Sequence, residues 1–413
     1  FWRVAAKEIN YRRFFQINDL AGIRIEVPAV FDHIHELTLR LIAEGHVHGL
    51  RIDHIDGLFD PRRYLERLQD GASTAMMRAL GEADGTVTGT ATGTANGAGA
   101  DGQRPFYIVV EKILAPHERL REEWPIAGTT GYDFLNRVNG LFVDPEAEGV
   151  LDRAYERFIG MRPSFEEIIY QSKKQAMDLE LASELRVLAN EYNRLTETSW
   201  QTRDYTLVGL RQALREVVAS FPVYRTYVDD DGATQEDYRD IEWAIAHARR
   251  RSYRPDKSVF DFIFDLLTAE IADRRDHNLD SVEVRRLAMK FQQYTGPVMA
   301  KGVEDTAFYR YNRLISLNEV GGEPARFGTT LSAFHRVNQE VARRWPYRMV
   351  CSATHDTKRG EDVRARINVI SELSDEWSAR VQRWSTLNRR RRTEYNDVLA
   401  PDDNDEYLFY QTL

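Results

Sequence analysis

Three acidic residues, each closing a short apolar run, are the chemically expressive feature of this 413-residue sequence. Val47-His48-Gly49-Leu50 leads into Arg51-Ile52-Asp53, and Phe106-Tyr107-Ile108-Val109-Val110 leads into Glu111. A third run, Arg348–Ala353, leads into Thr354-His355-Asp356. An aspartate beside a fixed guanidinium stays ionised at neutral pH, because the cation favours its charged form. Such a group can act as a nucleophile or as partner to a developing cation. Cleavage or transfer of a glycosidic bond needs one such carboxylate and one protonated acid for the leaving oxygen. A further carboxylate can stabilise an oxocarbenium-like transition state electrostatically. Taken singly, an acid at a strand end is more often a helix cap or a loop hydrogen-bonder. The ordered recurrence of three is what points to chemistry.

The elements that must carry these groups follow from periodicity. Phe31, Ile34, Leu37 and Leu41 have helical spacing and are stopped by Gly45. Val47–Asp53 is the expected strand, and Pro61 opens a second helix through Tyr64, Leu65 and Leu68. Helix, strand, helix is the repeating unit of an α/β barrel or a doubly wound sheet. Gly81–Gly102 is a Gly/Thr/Ala tract too poor in bulky apolar residues to order itself, and reads as a flexible insertion. Phe106–Val110 is the second strand. From Asp144 to about Ile271 the pattern is helical: Phe165–Leu195 reads as one long amphipathic helix, with others near Leu207–Phe221 and Val259–Ala272. Arg348–Ala353 reads as a third strand, and helices follow to about Arg392.

Composition narrows the class. The chain is 42% hydrophobic and 29% charged with a formal net charge of −9, ordinary for a globular enzyme-sized protein. The acidic balance argues against nucleic acid or an anionic membrane surface as partner. The basic runs Arg249–Arg251 and Arg389–Arg392 read as solvated helix faces. A single cysteine, Cys351, excludes an internal disulfide framework and fits a reducing, cytoplasmic setting. The sequence opens at Phe1 and closes at Leu413 within apparently continuing structure, and is read as a piece of a longer protein.

Gly49-Leu50-Arg51-Ile52-Asp53, Val109-Val110-Glu111 and Thr354-His355-Asp356 resemble the strand-four, strand-five and strand-seven motifs of the α-amylase superfamily (glycoside hydrolase family 13). Within it, further segments resemble the maltooligosyl trehalose synthases: Ile9-Asn10-Tyr11-Arg12-Arg13-Phe14-Phe15, Arg51–Leu58, Val110–Leu114, Gly128–Asp133, Ala300–Tyr311, Asn318–Gly322 and Thr354–Asp362. The resemblance implies a (β/α)8 barrel, incomplete in this chain, with a large helical insertion. Its portions would be 1–143, carrying the first two acids and the insertion near 81–102, then a helical subdomain at 144–295, then 296–413 with the third acid. It implies Asp53 as nucleophile, Glu111 as general acid/base and Asp356 as transition-state stabiliser. Arg51, His54 and His355 would bond the sugar, with Arg12, Arg13, Lys301, Tyr309 and Lys358 as further substrate contacts. The implied reaction converts the reducing-end α-1,4 bond of a maltooligosaccharide to an α,α-1,1 bond, with no cofactor and no metal. A trehalose-releasing hydrolase would be the pathway neighbour. The expectation for the isolated chain is inactivity, because a whole barrel takes about 250 residues of its own.

The sequence departs from the superfamily at Asp56 and Gly57, where a Lys and a His are common, and from the synthases at Ile55, where Pro is common. A metal hydrolase is one alternative. His33-Ile34-His35 and His46-Val47-His48 have the His-x-His spacing of barrel metallohydrolases. On a helix, though, that spacing splays His33 from His35, and His46 and His48 stand at the wrong end of the strand. A plain α-glucan hydrolase and an inactive glucan-binding fragment are the remaining alternatives.

Overall fold

The computed structural model describes residues 8–9, 11–84, 106–253, 257–272 and 279–413. It is mostly helical, with few strands. By internal packing the chain divides into two units, Phe1–Thr129 with Lys173–Gly302, and Thr130–Ser172 with Val303–Leu413.

The first unit is organised on three parallel strands in the order Gly49–Ile52, Tyr107–Val110, Gly128–Thr129. Parallel strands covered on both faces read as unbroken apolar runs. Ile108, Val109 and Val110 accordingly are buried. Helix Pro61–Asp84 lies between the first two strands in sequence, and the second and third are joined by an irregular crossover over 111–127. Pro28–Ala43 starts on a proline at its first turn and ends before Gly45, whose φ of +73° favours a residue without Cβ. It packs on Pro61–Asp84, which runs into the first residues of the Gly/Thr/Ala tract. The remainder of that tract, from 85, lies outside the described residues. His35 is a core residue: its ring stacks on Phe31 and its two nitrogens meet the Phe31 carbonyl and the Tyr64 hydroxyl. His33 is exposed, as helical spacing dictates.

The helical part of this unit is built from Ala182–Glu197, Leu207–Ala219, Gln235–Arg251, Ser258–Leu267 and Ser281–Met299. Gln235–Arg251 starts in a capping box between Thr234 and Asp237. Ser281–Met299 packs against the turn Ile55–Gly57 that follows the first strand. The single long helix expected over Phe165–Leu195 is two helices, Phe165–Leu179 and Ala182–Glu197. The break falls where tertiary donors take the carbonyls: Arg13 bonds the Glu180 oxygen and the Tyr294 hydroxyl bonds the Leu181 oxygen.

In the second unit, Tyr132–Leu141, Glu148–Ile159, Glu361–Glu372, Ser374–Asn388 and Asp403–Thr412 surround an aromatic core that includes Tyr155, Phe158, Tyr311, Trp377 and Tyr407. The Trp377 indole donates to the Tyr407 hydroxyl, and Tyr407 packs on Tyr155 and Phe158. The third expected strand does not form. Arg348–Ala353 is irregular, with Met349 and Val350 exposed. A strand exists only by pairing, and no described residue provides one for this run. Among the described residues no helix is long and apolar enough to cross a membrane.

One buried cation generates a pH prediction. Lys173 is buried, and its ammonium donates to the Phe221 carbonyl at 2.7 Å. Burial lowers its pKa from 10.5 to about 7. Between those values the unfolded chain holds a proton that the folded chain releases, so raising the pH favours folding. We predict that this residue contributes up to about 1.4 kcal/mol of added stability per pH unit across that window. Urea unfolding at pH 7, 8 and 9 checks it. The Lys173→Met variant should lose that part of the slope, and an unchanged slope would mean that Lys173 stays charged.

Candidate active site

The register of the first two strands sets the geometry. Gly49 faces Tyr107 and Ile52 faces Val110, and the Glu111 N–H donates to the Ile52 carbonyl at 2.8 Å. Continued by one residue, this register puts Asp53 level with Glu111 on neighbouring strands, whose spacing is about 4.8 Å. Retaining glycosidases hold their two carboxyl groups about 5–5.5 Å apart, so adjacent level positions suit that chemistry. Asp53 is bound by the Arg51 guanidinium at 2.8 Å, and its side chain is 56% exposed. The Glu111 carboxylate accepts the backbone N–H of His54 at 3.0 Å. One backbone donor, next in sequence to the candidate nucleophile, thus orients the candidate acid.

That donor points correctly because His54 is left-handed, at φ 50° and ψ 48°, an uncommon and costly state for a residue with a Cβ. Its ring is held between Phe14 and Phe15, at centroid distances of 5.5 and 4.9 Å. Phe15 is itself left-handed. The ring also occupies the space where a side chain at position 57 would stand: a Cβ on Gly57 would fall 2.3 Å from His54 Cδ2. Gly57, a departure from the superfamily pattern, is therefore what admits this imidazole. Burial pushes the His54 pKa below its ordinary value, Asp56 and Asp53 act against that, and Arg12 and Arg225 add to it.

The remaining predicted contacts in this unit fall into two groups. Lys301, in the π-helical turn Ala300–Glu304, sits 5.1 Å from the Phe15 ring centre, near the same aromatic wall as His54. Arg12 donates to the Gly57 carbonyl. Its pKa is lowered to about 10, by burial first and then by Arg225. Arg13 is buried, and its guanidinium is engaged by Glu184, Asn18 and the Glu180 carbonyl. It holds the hairpin Arg13–Phe14/Ile17–Ala21 in place.

Asp356 stands in the second unit. Its carboxylate accepts from the Tyr132 hydroxyl at 2.8 Å and lies 3.3 Å from His355 Nε2. Thr354 completes the group, donating to the Tyr132 oxygen and accepting the Asp356 N–H. Lys358 pairs with Asp305 at 3.1 Å and lies 5.6 Å from the Tyr309 ring centre. Tyr309 is 48% exposed, whereas Tyr311 is 7% exposed and belongs to the core. The loop carrying Lys358 and Arg359 is pinned by the buried Glu319, which accepts both of their N–H groups and the Arg364 guanidinium.

Sequence reasoning singled out neither Tyr132 nor Glu319 for these roles, and it missed the charged group beside the first two acids. Lys112 is buried, and its ammonium reaches Asp56 at 3.1 Å, Glu118 at 2.7 Å and the Ile113 carbonyl at 3.0 Å. The Tyr227 hydroxyl donates to Asp56. Arg225 donates to the carbonyls of Asp56 and Leu58. The signal was present: an acid at 56, where a base is common, implies a buried cation elsewhere. Among the described residues no group of three or more His, Cys, Asp or Glu could hold a metal ion.

The packing at Gly57 gives a direct test. Gly57→Ala should cost about 1–3 kcal/mol, because the His54 ring must be displaced. Chemical denaturation measures it, and an unchanged midpoint would mean that the ring is not confined there.

No family model matches the chain. It is 36% identical over 370 residues, 89% of its length, to a Mycobacterium tuberculosis (strain H37Rv) protein that carries the name maltooligosyl trehalose synthase. It is also similar to the solved maltooligosyltrehalose synthase of Arthrobacter ramosus, with a TM-score of 0.77 and 34% identity over 99% of the chain and 45% of that structure. A Sulfolobus tokodaii structure described as a hypothetical maltooligosyl trehalose synthase gives a TM-score of 0.67 and 30% identity over 97% of the chain and 43% of that structure. The chain spans about two-fifths of the length of the curated relatives it matches, 41%. The likeness to maltooligosyl trehalose synthases thus runs along most of the length of this chain.

Proposed function

We propose that this chain carries the catalytic groups of an enzyme that converts the reducing-end α-1,4 linkage of a maltooligosaccharide into an α,α-1,1 linkage. The reaction is a retaining double displacement. An Asp53 oxygen attacks the anomeric carbon of the sugar next to the terminal glucose, and Glu111 gives its proton to the departing oxygen. The freed glucose then turns within the site. Its anomeric hydroxyl loses its proton to Glu111 and attacks the glycosyl carbon, releasing Asp53. Asp356 stabilises the cationic transition state. Arg51, His54 and His355 bond the reacting sugar, and Lys301, Tyr309, Lys358 and Arg12 hold the recaptured glucose. Arg13 contributes through the hairpin it anchors.

The observation that carries this reading is the parallel register that sets Asp53 level with Glu111, with the His54 N–H on the Glu111 carboxylate. A second observation favours transfer over hydrolysis. The rings of Phe14, Phe15 and His54 make an apolar wall next in sequence to the nucleophile, and exclusion of water decides whether the intermediate meets sugar or water. In architecture, we read 1–143 and 296–413 as portions of a (β/α)8 barrel, with a helical subdomain at 144–295 inserted between them in sequence. The substrate is then a soluble glucan and the setting cytoplasmic. A trehalose-releasing hydrolase would consume the product.

Incubation of the full-length protein with maltopentaose tests this. Reducing ends should disappear without matching release of glucose. Asp53→Asn should abolish turnover, and Glu111→Gln should slow it by about 10²–10⁴-fold, the usual range for losing a general acid/base. Rearrangement that survives Asp53→Asn would overturn the assignment of the nucleophile, and glucose release at the rate of reducing-end loss would make the enzyme a hydrolase.

A further inference from the structure

We infer that Lys112 is a positioning residue that registers the general acid against the nucleophile, by tying the segment after Glu111 to the turn after Asp53. The inference rests on the proposed roles of Asp53 and Glu111 and deepens them.

The geometry is specific. Lys112 follows Glu111 directly, and Asp56 lies three residues after Asp53 in the turn that presents the His54 N–H. The Lys112 ammonium has three protons, and the structure gives them three acceptors: Asp56 Oδ2, Glu118 Oε1 and the Ile113 carbonyl. The other Asp56 oxygen takes the Tyr227 hydroxyl. The backbone of the same turn is held from distant parts of the chain, with Gly57 O bonded by Arg12 and Gln293, and Asp56 O by Arg225. Thus the His54–Glu111 hydrogen bond has beneath it a second, charged link between the same two segments.

Such a link is a costly way to gain stability. A buried ion pair roughly breaks even against apolar packing of the same shape, because desolvation offsets the attraction. Burial acts to discharge Lys112, and the charges of Asp56 and Glu118 together outweigh it and hold the pKa above its ordinary value. What an ammonium between two fixed carboxylates does supply is direction. A displacement of about 1 Å between a catalytic acid and its substrate can cost on the order of 100-fold in rate.

The test separates positioning from stability. In the full-length protein, Lys112→Met leaves two buried carboxylates uncompensated and should destabilise the fold. The triple variant Lys112→Met, Asp56→Asn, Glu118→Gln removes all three charges and should recover much of that stability. If Lys112 positions, the triple variant, measured at a temperature where it is folded, keeps kcat on maltopentaose lowered about 100-fold, with KM within about threefold of wild type. Its His54 amide, freed from Glu111, also exchanges with solvent at least tenfold faster than in wild type. Recovery of kcat along with stability, or unchanged His54 exchange, would overturn the inference. The exchange readout needs no substrate. Wild-type protein that leaves maltopentaose untouched, yet loses His54 protection in the triple variant, would defeat the proposed reaction while leaving the positioning intact.

Discussion

An ammonium shared by two buried carboxylates is the constraint on which the first unit depends. Lys112 cannot sit in an apolar interior uncharged and unbonded without cost, nor can Asp56 or Glu118. Each is acceptable only because the other two are in place. Around them Tyr227 forms a hub: its ring lies within 5.5 Å of the Lys112, Arg225 and Arg121 cationic centres, and Trp124 packs edge-on against it. Its own N–H is bonded by Asp237, the acid that also closes the capping box of Gln235–Arg251. A helix start, a strand end and the turn after Asp53 are therefore fixed by one connected set of charges.

The second unit uses the same device on a smaller scale. Glu319 is buried and accepts from the Lys358 and Arg359 N–H groups, from Arg364 and from the Val320 N–H. Four donors on one carboxylate leave the loop after Asp356 little freedom. Asp356 itself is aimed by Tyr132, a buried residue at the start of Tyr132–Leu141. In both units an exposed acid is presented by a loop whose geometry is set by a buried, fully bonded ionic group. Separating the two tasks leaves the Asp53 and Asp356 carboxylates exposed while their supports remain out of water.

Legibility followed the range of the deciding interaction. Helix Pro28–Ala43 could be read locally, because the Phe31 to Leu41 spacing and Gly45 act within one segment. The two strands ending at Asp53 and Glu111 could be read because apolar runs of that length mark covered parallel strands. Arg348–Ala353 also read as a strand and formed none, since pairing depends on a neighbour that a local pattern cannot reveal. The break between Leu179 and Ala182 was invisible for a related reason. Arg13 and Tyr294, far away in sequence, donate to the Glu180 and Leu181 carbonyls, and helical periodicity on either side carries no trace of them. Tyr309 and Tyr311, alike on paper, diverged into one exposed and one core residue, because the short helical turn Ala307–Tyr309 ends between them and breaks the local periodicity.

What the sequence determined by itself was the chemical inventory and its order: Arg51-x-Asp53, Glu111 and Asp356, the helices between them, and the resemblance that motif order carries. Those features are local, and local patterns survive in one dimension. Only the tertiary structure decided that Asp53 and Glu111 are level in register, that His54 turns left-handed over Gly57, and that Lys112 is bound by Asp56 and Glu118. It also decided that Arg13 anchors a hairpin. Each of these depends on which distant residue arrives at a given carbonyl or carboxylate. Desolvation makes that arrival decisive, because a buried charge or donor left without its partner would cost more than the local preference it overrides.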